Sequence, residues 1–346
     1  MGRIIRTALI GYGFGGAMFH APFIAATDGL QLDVVVTSRV DEVLEQWPGV
    51  RVEADPQAVW LDPDIELVVI STPNAAHAQL ARKALEADKH VVIDKPFVVD
   101  PAEGEALIRL AKERGRKLTV YHNRRFDSDF RTVRRLIADG TLGDLNYYEA
   151  RYDRFRPDVK DRWKERDEPG SGTLYDLGAH LIDQALQLFG MPQSVTADCR
   201  TQRAGSGSCD YFHLLLGYTG VQVVLHAGSL VRVKGPRFTI HGSKASYVKC
   251  GDDPQERALL AGAKPRSPGW GAEPEEEHGL LYESENSVGT PVLPERGDYT
   301  WFYEQVYMAL TEGAPLPVEA EQALDVIRVI VTAEQSSAEG RTIRIT

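Results

Sequence analysis

Cysteine is scarce in this 346-residue chain: Cys199, Cys209 and Cys250 are the only three, and no two stand at C-x-x-C spacing. That excludes a disulfide framework and a zinc cluster of ordinary spacing, and it leaves free, mostly buried thiols as the expected state. Long apolar runs are missing too. No stretch reaches the roughly 18 apolar residues of a membrane-spanning helix, and Met1 to Arg6 leads into a strand-like run instead of a secretory leader. A cytoplasmic protein is expected. Positive charge is the minority: 39 Lys and Arg stand against 50 Asp and Glu, a formal net charge of -11. Such a surface argues against nucleic acid and acidic membranes as partners, so any anionic ligand needs a local basic site. Internal repeats and low-complexity tracts are absent.

What is present is an ordinary globular composition, 43% hydrophobic and 26% charged, on a chain longer than one core usually supports. Up to residue 122 short β-branched runs alternate with helical stretches, the pattern of a parallel sheet with crossover helices. Strands are expected at Thr7 to Gly11, Leu32 to Ser38, Val50 to Ala54, Leu67 to Ser71, His90 to Asp94 and Leu118 to Tyr121. The helix Pro101 to Arg114 has Asp100 as N-cap and Gly115 as terminator. Beyond residue 145, runs at Asn146 to Asp153, Ser194 to Gln202, Tyr211 to Tyr218, Val221 to Leu230 and Arg237 to His241 predict one mainly antiparallel sheet. The helix Leu177 to Phe189 interrupts it, two helices near Trp301 to Glu312 and Ala320 to Ser336 close the chain, and 252–294, rich in Pro, Gly and Glu, is expected to be an irregular surface insertion. The expected architecture is an α/β Rossmann domain over 1–122 and an α+β domain over 123–346, whose last helix can return to the first domain.

Gly11, Gly13 and Gly16 form G-x-G-x-x-G between the first strand and a helical stretch, the context in which this pattern marks a dinucleotide site. The first glycine permits the tight turn, the second lets backbone approach a pyrophosphate, and the third lets helix and strand pack closely. The loop Gly11, Gly13, Phe14, Gly15 and Gly16 is therefore assigned to the cofactor. The second strand ends Thr37-Ser38-Arg39, where an NAD-binding chain usually carries an acidic residue. A hydroxyl at Ser38 followed by the Arg39 guanidinium suits a 2'-phosphate and favours NADP; Asp41, two residues on, keeps NAD open.

The run Ser71-Thr72-Pro73-Asn74 ends a strand at the edge where doubly wound sheets bind ligands, with His77 just inside the next helix. Thr72, Pro73, Asn74 and His77 are candidate cofactor contacts, or a plain strand-ending turn with an Asn cap. Asp94-Lys95-Pro96 projects from the same edge. A partly desolvated lysine beside a cationic ring suits proton transfer or polarisation of a carbonyl oxygen. Asp176 and His180 sit at i, i+4, which on an α-helix shares one face, with Asp183 following. They form either an acid-base pair or a helix N-terminal Asp with a satisfied histidine. No metal is expected, because no further His or Cys lies at ligand spacing. Asn123 and Arg125 after the last Rossmann strand, and Asp153 and Arg154 at the start of the second sheet, suit a polyhydroxylated substrate or else pair with one another.

Together the Gly11 to Gly16 loop, Asp94-Lys95-Pro96 and Asp176-x-x-x-His180 resemble the Gfo/Idh/MocA family over nearly the whole chain. The phrases His122 to Asp127, Asp153 to Pro157 and Tyr175 to Gln184 look like its NADP-dependent scyllo-inositol dehydrogenase branch. Asp94 stands where the wider family commonly has glutamate, and Pro169-Gly170-Ser171-Gly172 keeps part of the expected glycine-rich run. The resemblance implies Lys95, Asp176 and His180 as the catalytic group. It places Asp94, Lys95 and Asn123 beside the cofactor, and Arg125, Asp153, Arg154, Trp163, Asp176 and His180 around the substrate. It also implies an open-faced sheet joining a homodimer or homotetramer, and oxidation of a secondary alcohol on an inositol or sugar ring. Rivals in the same fold are a dehydrogenase of another sugar, a redox-neutral glycoside hydrolase that keeps its nicotinamide, and a non-catalytic nucleotide sensor.

Overall fold

Six β-branched runs near the start of the chain pair as one parallel sheet in the computed structural model, which describes residues 2–345. They are β1 Ile5–Ile10, β2 Leu30–Val36, β3 Arg51–Glu53, β4 Leu67–Ile70, β5 His90–Asp94 and β6 Leu118–Tyr121, in the order β3-β2-β1-β4-β5-β6. This is the doubly wound dinucleotide order, and it puts the ends of β1 and β4 beside each other at the switch point. Val68, Val69, Ile70, Val91, Val92 and Ile93 are at most 1% exposed, as strands covered on both faces must be. The first strand begins two residues before the expected Thr7, and the second at Leu30 instead of Leu32. The helix Pro101–Glu113 is capped as expected: Asp100 Oδ1 accepts the Ala102 N–H at 2.9 Å, and Gly115 has φ 61°.

The second sheet has nine strands: β7 Leu145–Asp153, β8 Ser194–Arg200, β9 Tyr211–Gly217, β10 Gln222–Gly228, β11 Phe238–Gly242, β12 Ser246–Lys249, β13 Leu280–Tyr282, β14 Thr290–Pro291 and β15 Ile343–Arg344. Their order is β14-β13-β12-β11-β7-β10-β9-β8-β15, antiparallel at every step except the parallel pair β7 and β10. Two of these strands lie in 252–294, which therefore is not simply an irregular insertion. At three and two residues, β13 and β14 are too short for alternation to show in sequence. A helix at Ser128–Ala138, not expected from the sequence, buries Phe130, Val133 and Leu136. Cys199 and Cys209 are half-buried, but Cys250 is exposed, which corrects the expectation of mostly buried thiols.

The chain clusters into two compact units whose boundaries are not a single cut. Residues up to Asn123 form the first together with Glu256–Trp270 and Tyr299–Leu324; Arg124–Gln255, Gly271–Asp298 and Asp325 onward form the second. Within the first unit the two late segments supply core aromatics: Trp270 packs on Phe23, and Phe302 on Tyr121. Among the described residues no helix is long and apolar enough to cross a membrane.

Candidate active site

In the first unit the assigned residues gather at the carboxyl ends of the strands. Gly11, at φ 97°, turns the chain out of β1, and a Cβ there would lie 2.3 Å from the Ser71 carbonyl oxygen. A Cβ on Gly16 would lie 2.1 Å from the Gly11 carbonyl, whereas one on Gly13 would meet nothing within 4 Å. The glycines thus do different work: two admit backbone-to-backbone contact, and the middle one borders open space where a pyrophosphate can approach. Phe14 is 57% exposed, with its ring edge-on to Phe19. After β2, Ser38 and Arg39 are exposed, and the Arg39 guanidinium lies 3.3 Å from the Glu42 carboxylate. Such an exposed ion pair is weak and leaves the guanidinium available to a phosphate.

After β4, Thr72 is half-buried, Pro73 exposed and Asn74 buried. His77 is fully buried; its Nδ1 lies 2.9 Å from the Pro96 carbonyl oxygen and its Nε2 3.1 Å from that of Thr72. The ring is spent on tying the end of β4 to the Lys95-Pro96 turn. That differs from the expected cofactor contact, because both nitrogens already face protein carbonyls. Burial lowers its pKa, against the pull of Asp94. Lys95 follows β5 and is half-buried, and Asn123 is buried. The Asp94 carboxylate accepts the Lys95 backbone N–H at 2.8 Å and the Ser71 hydroxyl at 3.1 Å. Burial works against its ionisation, but His20, Lys95 and His77 outweigh burial and hold the carboxyl far below the usual range.

His20, which nothing in the sequence singled out, completes this cluster. The helix after the glycine loop opens with a π-helical turn, Gly16–His20, a widening by one residue that recurs at functional sites. It sets the fully buried His20 with Nε2 3.4 Å from Asp94 Oδ2 and Nδ1 2.6 Å from the Tyr303 hydroxyl, its ring 4.6 Å from that of Tyr121.

A second π-helical turn, Leu174–Gly178, precedes the α-helix Ala179–Phe189 in the second unit. Asp176 lies in the wide turn and His180 in the α-helix, so the α-helical spacing that put them on one face does not describe the segment. Asp176 bonds Lys164 at 2.7 Å, has Arg154 at 3.9 Å, and lines a pocket with both and with Thr173, Leu177 and Cys209. Lys164 was missed: no motif marks it, and it reaches Asp176 from the short 3-10 turn Trp163–Glu165, its ammonium 5.6 Å from the centre of the Trp163 ring. His180 is buried, edge-on to Tyr152.

Two expected substrate contacts are engaged elsewhere within this unit. Arg125 is 4% exposed and forks onto Asp183 with nitrogen to oxygen distances of 2.6 to 3.1 Å. Asp153, also buried, accepts the Gly235 N–H at 3.1 Å and faces His226 at 3.3 Å. For both, the alternative of paired charges describes the geometry. Among the described residues no group of His, Cys, Asp and Glu is arranged to hold a metal.

Two family profiles cover this chain. One, described as the oxidoreductase family's NAD-binding Rossmann fold, matches residues 5–122; the other, its C-terminal alpha/beta domain, matches residues 134–345. The chain is 44% identical over 343 residues to the scyllo-inositol 2-dehydrogenase (NADP(+)) IolW of Bacillus subtilis, covering 99% of this chain and 96% of that protein. It is 44% identical to the oxidoreductase YdgJ of Escherichia coli, with 98% of each covered. Among solved structures, the Bacillus subtilis protein yvaA superimposes with a TM-score of 0.96 at 42% identity over 99% of both chains. With both halves matched by their own family profiles and the fold shared throughout, this chain belongs to the Gfo/Idh/MocA family of oxidoreductases.

Proposed function

We propose that this enzyme interconverts a secondary alcohol and a ketone on a cyclic polyol, foremost scyllo-inositol and 2-keto-myo-inositol, with NADP as its dinucleotide. The observation that carries this reading is the 44% identity over 99% of the chain to an NADP(+)-dependent scyllo-inositol 2-dehydrogenase. The residues fit the dinucleotide. Gly13 leaves room for a pyrophosphate, the loop and Thr72 border it, and Ser38 and Arg39 offer a hydroxyl and a bidentate guanidinium to a 2'-phosphate. Bound nicotinamide supplies the hydride acceptor or donor. Gly13→Ala should leave Tm within about one degree, because the new methyl meets no protein atom. It should weaken NADPH binding by about tenfold or more, roughly 1.4 kcal/mol, in a fluorescence titration.

The chain's own groups then divide the work. His180 takes the hydroxyl proton as the alkoxide forms, imidazole being suited to exchange near neutral pH. Lys95 hydrogen-bonds the same oxygen and stabilises its developing charge. Asp176, anchored by Lys164 and Arg154, orients the proton-transfer groups, and Arg154 and Trp163 meet the ring hydroxyls. A different sugar is the second reading, favoured by the 30% identity over 60% of the chain to a D-glucoside 3-dehydrogenase of Escherichia coli.

Absorbance of the reduced nicotinamide, followed with scyllo-inositol, myo-inositol, glucose and methyl glucoside against NADP and NAD, tests the proposal. Turnover of scyllo-inositol with NADP is expected, with Arg39→Ala narrowing the preference for NADP over NAD by about tenfold. Turnover of sugars alone would move the substrate to the second reading. No change in nicotinamide with any of them would sink both.

A further inference from the structure

Lys95 can act only if its ammonium is held in one place, and the side chain has four rotatable bonds to lose. Its backbone is fixed by Asp94, whose Oδ1 accepts the Lys95 N–H at 2.8 Å. Ser71 donates to Oδ2 of the carboxylate at 3.1 Å, and His20 Nε2, buried and making no hydrogen bond elsewhere, stands 3.4 Å from the same oxygen. Ser71 and Asp94 also crowd the phosphate loop, since a Cβ on Gly15 would lie 2.7 Å from Ser71 Oγ and 2.8 Å from Asp94 Oδ2.

His20 is completely buried and has two polar neighbours, one for each ring nitrogen. Tyr303 is equally buried, and burial raises its hydroxyl well above the usual value, so it stays an O–H donor. The two atoms are 2.6 Å apart, and donation from this hydroxyl to Nδ1 is the arrangement that puts the ring proton on Nε2, facing Asp94. A second-layer group that fixes a tautomer in this way fixes the orientation of whatever the other nitrogen binds.

We propose that His20, with its tautomer set by Tyr303, is a positioning residue for the reaction: it pins the Asp94 carboxylate and through it the Lys95 backbone. The inference rests on the assignment of Lys95 as the group that polarises the substrate oxygen. His20 touches neither substrate nor cofactor in this scheme. Its effect belongs in kcat and not in the affinity for NADPH.

Two replacements separate the donor from the ring. His20→Gln keeps an N–H donor near the Nε2 position and loses the aromatic packing on Tyr121; His20→Phe keeps the packing and loses the donor. With scyllo-inositol and NADP, kcat is expected to stay within about threefold in His20→Gln and to fall about tenfold in His20→Phe, with unchanged NADPH dissociation constants. The opposite order, Phe at or above Gln, would reduce His20 to core packing and overturn the inference. Tyr303→Phe removes one hydroxyl from an otherwise intact ring and decides the matter if neither His20 variant folds: a lowered kcat supports the relay, an unchanged one rejects it. Lys95→Ala run beside them keeps the two claims apart. If it retains turnover, the assignment of Lys95 has failed; if it is inactive while His20→Phe is normal, only the role of His20 has.

Discussion

Lys95→Ala is expected to lower kcat by about a thousandfold while leaving the NADPH dissociation constant within about threefold of the parent value. The size of the effect comes from the role. On the proposed role, an ammonium that meets the oxygen gaining charge in the transition state stabilises that state more than the ground state, so its loss appears in kcat. The cofactor contacts assigned to the glycine loop, Ser38, Arg39 and Thr72 do not depend on the lysine side chain. Asp94 meets Lys95 through the backbone N–H, which alanine retains, so the turn itself should survive. Steady-state rates, fluorescence titration with NADPH and a thermal melt together check the claim. Near-normal turnover would remove Lys95 from the chemistry.

The largest effect on stability is expected at the buried pair of Arg125 and Asp183. Both side chains are at most 4% exposed, and the guanidinium forks onto the carboxylate. Such a pair adds little over a well-packed apolar replacement, but breaking it takes from a buried guanidinium the carboxylate it forks onto, which is strongly destabilising. Asp183→Ala should therefore cost about 4 kcal/mol and lower Tm by roughly ten degrees. The double variant Arg125→Leu with Asp183→Leu should recover most of that loss. Scanning calorimetry on the parent, single and double variants gives the comparison. Activity adds a second answer: if Arg125 also meets substrate, the double variant will regain stability without regaining turnover. A single variant as stable as the parent would show that the pair is replaceable by water.

Much of the first sheet could be foreseen because parallel strands buried on both faces must be continuous apolar runs. Leu67–Ile70 and His90–Asp94 announce themselves in this way. The glycine loop was equally plain, since its first and third glycines sit at backbone contacts that tolerate no side chain and its middle one borders open space. What stayed hidden depended on long-range pairing or on helix geometry. The strands Leu280–Tyr282 and Thr290–Pro291 owe their existence to neighbours across the sheet. The first unit draws residues from three stretches of chain, and Trp270, Phe302 and Tyr303 reach its core from more than 130 residues beyond Asn123. No local pattern could report that. His20 was overlooked because a single histidine between Phe19 and Ala21 resembles any core residue until its partners are known. Lys164 lay in a charged loop where lysine is unremarkable. Arg125 and Asp153 were marked as substrate contacts or else as charges that pair, because sequence could not separate a partner supplied by the protein from one supplied by a ligand.

The two wide helical turns, Gly16–His20 and Leu174–Gly178, carry a consequence for how this gene can change length. Each holds one residue more than an α-helical turn requires. Loss of a single codon inside either would let ordinary helical hydrogen bonding resume across the gap. The segments before and after it would stay close to register, because the five residues of the wide turn advance the helix about as far as four residues of an α-helix. What would go is the bulge itself, which sets His20 beside Asp94 and Asp176 beside Lys164, although every residue of both contacts kept its identity. At these two places a residue could be lost with the helix on either side undisturbed, and only the site would register the change.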